Sequence, residues 1–305
     1  MRSSRRLPIA CLASQWKRVR EAKATVIPSA TGLLAVSFLA LVIATMSGAN
    51  SPLAQEPDIE TGVCGSLREP FVFWLWRTLA GSPDPQRVVG IKDVERIQFK
   101  TRDGIKLSGY KLRAAQPKGY LLVAQGNAML ADQLVADLQM FRDLELDVHI
   151  YDYRGYGNSQ GKSRLAAIVS DYAEIVSYLN SLGYKKRLLY GISMGGVILL
   201  NAVGKGQAYE RFVVDSSPSR ISNLGCPERY DPVGHLPEDG PRLMIVSGGR
   251  DNVVPPGQME EMIRDARTRG ARIFLDQEFS HPFQDSSPAI HRRRQREVAA
   301  FLLHD

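Results

Sequence analysis

The sequence predicts an α/β domain, a mostly parallel sheet with helices on both faces, and three observations carry that prediction. Short apolar runs that read as buried strands alternate with helical stretches from about residue 119 to the C-terminus, a pattern that folds as successive strand-helix units. A pair of alternating segments stands in front of them, and one strand-to-helix junction holds Gly191-Ile192-Ser193-Met194-Gly195.

In chain order, VERIQFKT and IKLSGYKLR alternate on either side of Asp103-Gly104, which predicts a hairpin. The strand candidates YLLVAQ, DVHIYD, RLLYGI, RFVVDS, RLMIVS and RIFLDQ follow. Between and after them lie helical stretches at 131–143, 164–182, 193–203, 257–269 and near 289–303. No internal repeat or low-complexity tract interrupts the series.

The 305 residues carry a net charge of +7, and its placement matters more than its size. Arg2, Arg5, Arg6, Lys17, Arg18, Arg20 and Lys23 stand against Glu21 alone in the first 31 residues, leaving a net of only +1 for the rest. That distribution speaks against a nucleic-acid-binding face and for the flank of a membrane-directed segment. The uncharged stretch Ala24–Gln55 contains the apolar run Gly32–Met46, which reads as a signal peptide or a transmembrane anchor. The expected organisation is therefore 1–49, basic flank plus signal or anchor; 50–90, linker and pre-domain segment; 91–305, catalytic domain. The aromatic cluster Phe71-Val72-Phe73-Trp74-Leu75-Trp76 is expected to pack on its own domain, with a membrane surface as the alternative. The basic run His291–Arg296 reads as a solvated helix face.

G-x-S-x-G alone is a common pentapeptide, but here it follows a strand and opens a helix. A serine on so sharp a turn is pushed out at the end of the sheet, and its small neighbours leave room for the turn. Ser193 is thus the candidate nucleophile. A serine hydroxyl needs a histidine base, and the histidine a carboxylate that fixes its tautomer. His281 is the candidate base because it lies in a loop just after a strand, in RIFLDQEFSHPF. His291 and His304 fall on the terminal helix and are expected at the surface, while His149 lies in a strand as a satisfied core residue. Asp251, in the loop GGRDNVVPP after RLMIVS, is the candidate acid, with Asp215 at the end of RFVVDS as competitor. Backbone N–H groups of Met194 and of Asn127, in Gln125-Gly126-Asn127-Ala128, are the candidate donors to an oxyanion.

From about Glu95 onward the chain resembles the α/β-hydrolase superfamily, and within it the membrane-associated, short-lidded serine hydrolases related to protein depalmitoylases. The likeness rests on Gln125-Gly126-Asn127-Ala128, on Tyr151-Asp152-Tyr153-Arg154-Gly155-Tyr156-Gly157-Asn158-Ser159-Gln160-Gly161, on the elbow around Ser193, and on Asp251 and His281. It implies an α/β-hydrolase fold and cleavage of a carboxylic ester or thioester through an acyl-serine. An amide or peptide-bond hydrolase and a non-catalytic binding protein of the same fold are the alternatives. The resemblance makes the Tyr151–Gly161 loop structural, shaping the mouth of the site. The family's oxyanion loop usually begins His-Gly where this chain has Gln125-Gly126, a change that bears on the loop's supporting hydrogen bonds. Only about 25 residues separate RFVVDS from PRLMIVS, a short lid that suggests an open cleft. The expected partners are a small-molecule or lipid-like ester or thioester, or an acylated protein, and a membrane through the N-terminal segment. With no H-E-x-x-H or C-x-x-C, and no Lys-Ser/Thr after Gly195-Gly196, no metal or organic cofactor is expected.

Excess positive charge before an apolar helix keeps that end cytoplasmic, so the catalytic domain is expected on the non-cytoplasmic side. Cys11 then stays in the reducing compartment while Cys64 and Cys226 are exported as an even pair. The expectation is a Cys64–Cys226 disulfide, which requires Cα atoms no more than about 7 Å apart.

Overall fold

The computed structural model describes residues 62–304 except 205 and 207. The basic flank, Cys11 and the apolar run Gly32–Met46 lie outside the described residues. Among the described residues no helix is long and apolar enough to cross a membrane.

Helix α1 (Arg68–Ala80) comes first, then the hairpin β1 (Val94–Lys100) and β2 (Lys106–Leu112). Its turn closes through the Thr101 N–H on the Ile105 carbonyl (2.9 Å), with Gly104 at a φ of 85° that a side chain would disfavour. The strand-helix series follows: β3 (Gly119–Ala124), α2 (Val135–Asp143), β4 (Leu146–Tyr151), α3 (Leu165–Ser181), β5 (Lys186–Ile192), α4 (Met194–Val203), β6 (Arg211–Asp215), β7 (Leu243–Gly248), α5 (Pro256–Thr268), β8 (Arg272–Asp276) and α6 (Pro288–Leu303). Pro256 and Pro288 occupy first helical positions, where no N–H is missed, and the Ser287 hydroxyl caps α6 by accepting from the Ile290 N–H.

The eight strands form one sheet in the order β1-β2-β4-β3-β5-β6-β7-β8. The β1/β2 and β2/β4 pairs are antiparallel and the others parallel. Strands β3 and β4 are buried along their whole length, and alternate residues serve opposite cores. Tyr120, Leu122 and Ala124 face the layer that holds α3, α4, α5 and the inner side of α1. Leu121 and Val123 face α2 and α6. The sheet and its two helical layers are those of the α/β-hydrolase fold. The order of succession reverses between β3 and β5, so the loops leaving their carboxyl ends diverge and open a crevice there.

Candidate active site

The crevice is where Ser193 stands. Its backbone holds φ 53° and ψ −116°, a region that a non-glycine residue occupies only when its surroundings impose it. Those surroundings are specific. The Ser193 N–H donates to the Asp215 carbonyl (2.8 Å), and the Ser193 carbonyl accepts from the Ser217 hydroxyl (2.7 Å) and the Gly196 N–H (3.0 Å). A Cβ on Gly195 would lie 1.9 Å from the Ala124 carbonyl oxygen, and one on Gly191 only 2.6 Å from the Gly196 Cα. The glycines let α4 start pressed against the ends of β3 and β5.

Met194 is the first residue of α4, so its N–H has no carbonyl one turn back to bond. The loop after β3 lies beside it: a Cβ on Gly126 would come 3.7 Å from the Ser193 Cβ. Asn127 accepts the Ala128 N–H (3.0 Å) on its own side-chain oxygen, which also receives the Tyr156 hydroxyl at 3.5 Å. The Tyr153 hydroxyl donates to the Gln125 carbonyl. The Tyr151–Gly161 segment therefore supplies supports for the loop. The buried Gln125 amide itself finds no hydrogen-bond partner among the described residues.

Asp251 and His281 meet directly, the His281 Nδ1 lying 2.9 Å from Asp251 Oδ2. The other Asp251 oxygen accepts the Val253 and Val254 N–H groups at 2.9 and 2.8 Å. Burial pushes the carboxyl pKa up, but the His281 hydrogen bond and those two amides outweigh it and hold Asp251 below the usual range. The competitor Asp215 is otherwise engaged. Its fully buried carboxylate accepts from Tyr190 (2.9 Å) and from Arg294 (2.6 Å), while burial outweighs Arg294 and raises its pKa.

Several expectations need correction. His291 is not a surface residue: it sits between Asp137 and Asp285 at 3.5 Å from each, ion-pair contacts longer than hydrogen bonds. Burial lowers its pKa, but the two carboxylates prevail and raise it to about 9. Within the supposedly solvated run, Arg294 is buried beside Asp215 and Asp285. His149 is buried as expected but not satisfied, for neither ring nitrogen has a hydrogen-bond partner; burial drives its pKa to about 4, which leaves it neutral. His304 is exposed.

Nor is the short lid the only cover. Cys64 and Cys226 form a disulfide with Cα atoms 4.0 Å apart, tying the start of α1 to the segment after β6. Arg68 donates to the Gly225 carbonyl (2.5 Å) and Glu69 accepts the Leu165 N–H (2.6 Å). At the other end of α1, Gln133 donates to the Ala80 carbonyl (2.9 Å). All these partners follow carboxyl ends of strands, so α1 spans the end of the sheet that carries Ser193. Sequence reading missed this helix as part of the site. Phe73 and Trp76 pack inward, whereas Leu67, Phe71, Trp74 and Leu79 stay exposed. Among the described residues no group of three or more His, Cys, Asp or Glu side chains is arranged to hold a metal.

Comparison with known proteins agrees with this architecture. Residues 115–226 match the family model described as serine aminopeptidase, S33. Escherichia coli YfhR is 23% identical over 234 residues, covering 70% of this chain and 80% of its own. Schizosaccharomyces pombe protein bem46 is 26% identical over 195 residues, 55% of this chain and 64% of its own. Among solved structures, the Pyrococcus furiosus esterase Pf2001 superposes with a TM-score of 0.58 at 15% identity, covering 68% of this chain and 91% of that one.

Proposed function

This chain belongs to the α/β-hydrolase superfamily, related to the bem46 group, and on that premise we propose that it is a serine hydrolase cleaving a carboxylic ester or thioester through an acyl-Ser193 intermediate. The observation that carries the reading is the Asp251–His281 hydrogen bond at the end of the sheet where Ser193 stands on its strained turn.

Asp251 holds His281 with its Nδ1 protonated, which leaves Nε2 free to take the Ser193 proton. The serine oxygen then attacks the carbonyl carbon, and the negative charge passes to the carbonyl oxygen, where the Met194 and Asn127 N–H groups receive it. Collapse breaks the bond to the alcohol or thiol, which leaves with the proton from His281. Water, deprotonated by the same imidazole, releases the acid and restores Ser193. Removing one such oxyanion donor typically costs about 10²–10³ in kcat. An amide substrate would use the same steps, and the serine aminopeptidase family match keeps that second reading in view. The test is fluorophosphonate labelling of the wild type followed by an ester, thioester and amide panel. Labelling at Ser193 with turnover of esters or thioesters is the expected result; absence of labelling would leave a binding protein of the same fold.

The same proposal places the catalytic domain on the non-cytoplasmic side of a membrane, exported or anchored by the N-terminal segment. The basic flank and apolar run support it, as does a disulfide, a bond that persists in oxidising compartments. The exposed Leu67, just before α1, and Phe71 and Trp74 on it suit a lipid-like substrate or an acylated protein presented at a membrane. An alkaline phosphatase fusion after residue 60 should be active in a bacterial host; an inactive fusion would overturn the topology.

A further inference from the structure

Arg294 is a guanidinium with 1% of its side chain exposed, in contact with two carboxylates that are wholly buried. Its contacts divide into two groups. Toward the sheet, Nη1 donates to Asp215 Oδ1 at 2.6 Å, and the Asp215 carbonyl is the acceptor that fixes the Ser193 N–H. Toward the loop after β8, Nε and Nη2 donate to the two oxygens of Asp285 at 3.1 Å each, and Nη2 also donates to the Ser280 carbonyl. Ser280 and Asp285 bracket His281, and Asp285 further accepts the Ser280 N–H at 3.0 Å. The guanidinium lies over the Phe279 ring, 4.3 Å from its centre. None of these hydrogen bonds involves Asp251.

We infer that Arg294 is a positioning residue that sets where His281 stands relative to Ser193, by clamping the loop that carries the imidazole onto the residue that holds the nucleophile's backbone. This rests on the hydrolase reading for its catalytic consequence, but not for its geometry. A buried ion network of this kind is a poor way to gain stability, since well-packed apolar residues often do as well. Its distinctive property is shape. A guanidinium is a rigid planar fork that serves several acceptors at fixed angles, which an ammonium cannot do. Asp251 orients the ring from one side, and Arg294 fixes the loop from the other.

The test compares Arg294→Lys, which keeps the charge and loses the fork, with Leu179→Ala, a buried core truncation in α3 that serves as a control for lost stability. Each full-length variant is assayed with p-nitrophenyl acetate, with a fluorophosphonate for the labelling rate, and by the far-downfield proton resonance of the His281 Nδ1–H. Arg294→Lys should lower kcat and the labelling rate by about 10- to 100-fold with KM little changed, the scale of loss for a misplaced catalytic group, and should shift the His281 resonance. Leu179→Ala should lower Tm and leave all three readouts near wild type. Should Arg294→Lys fail to fold, Asp285→Asn weakens the hold of that carboxylate on Arg294 and on the Ser280 N–H while sparing the Asp215–Arg294 pair and the Arg294 contact with the Ser280 carbonyl, and smaller losses in the same direction are expected. Variants that keep both kcat and the His281 resonance overturn the inference. If wild type itself is not labelled at Ser193, the hydrolase reading falls, and the resonance alone decides the positioning role.

Discussion

Replacing Cys64 and Cys226 together by serine should lower the thermal stability of the full-length protein more than any single surface change. The bridge closes a loop of 162 residues, and loop-closure entropy for that length corresponds to about 5 kcal/mol of destabilisation of the unfolded chain. For a domain of this size each kcal/mol moves Tm by about 2–4 °C, so the upper bound is about 10–20 °C. The contacts around the bond do not use the sulfur atoms: Arg68 reaches Gly225 (2.5 Å), and Glu69 accepts the Leu165 N–H and the backbone N–H of residue 64 (2.6 and 2.5 Å). The variant should therefore keep the native position of α1, with the loss falling mainly on the unfolded side. Differential scanning of wild type and variant, each with and without reductant, measures it. Reductant should bring wild type down to the variant and leave the variant unmoved. A variant Tm within about 2 °C of oxidised wild type, a shift worth no more than about 1 kcal/mol, would refute the reasoning.

Three further outcomes are expected. Ser193→Ala should abolish fluorophosphonate labelling and lower kcat by about 10⁴ or more with Tm unchanged; labelling retained at another serine would remove Ser193 from its role. Asp251→Asn should cost about 10⁴ in kcat because His281 loses its tautomer, whereas Asp215→Asn should lower Tm and cost no more than about 100-fold in rate; equal modest losses would mean that neither carboxylate orients the base. The folded pKa of His291, about 9, lies above its ordinary 6.5, so its ion pairs contribute fully below about pH 6.5 and fade as pH rises through about 9. Wild-type Tm should fall across that window and His291→Gln should flatten the fall, so identical profiles for the two would remove the ion pairs from the account.

The strands were legible because each is a short apolar run bounded by turn residues, whereas their order and register in the sheet depend on pairings between segments far apart in the chain. The pairing of Asp251 with His281 was legible for a related reason, since loops at strand ends are where a sheet of this kind presents side chains. Arg294 was not, because a guanidinium within four consecutive basic residues looks solvated until its partners, Asp215 and Asp285, arrive from other segments. Helical spacing did hold a signal: Arg294 shares a face with Ile290, Val298 and Phe301, and the last two are buried. Helix α1 was hidden for the opposite reason. Its apolar residues run all round the axis, half inward on the core and half outward, which gives no helical period to read.

The glycines of the Ser193 turn bear on how this protein can change over evolutionary time. A methyl group at Gly195 would overlap the Ala124 carbonyl, and one at Gly196 would come 2.0 Å from the Ser217 hydroxyl, so the floor of the crevice has almost no sequence freedom. The roof is different. Helix α1 is held to the segment after β6 by one covalent bond and the Arg68 hydrogen bond to the Gly225 carbonyl, and to the start of α3 by Glu69 on the Leu165 N–H, contacts indifferent to most of the side chains that these segments carry. Variation in substrate range among relatives should therefore accumulate in the roof, where residues can be exchanged without disturbing the reacting atoms beneath.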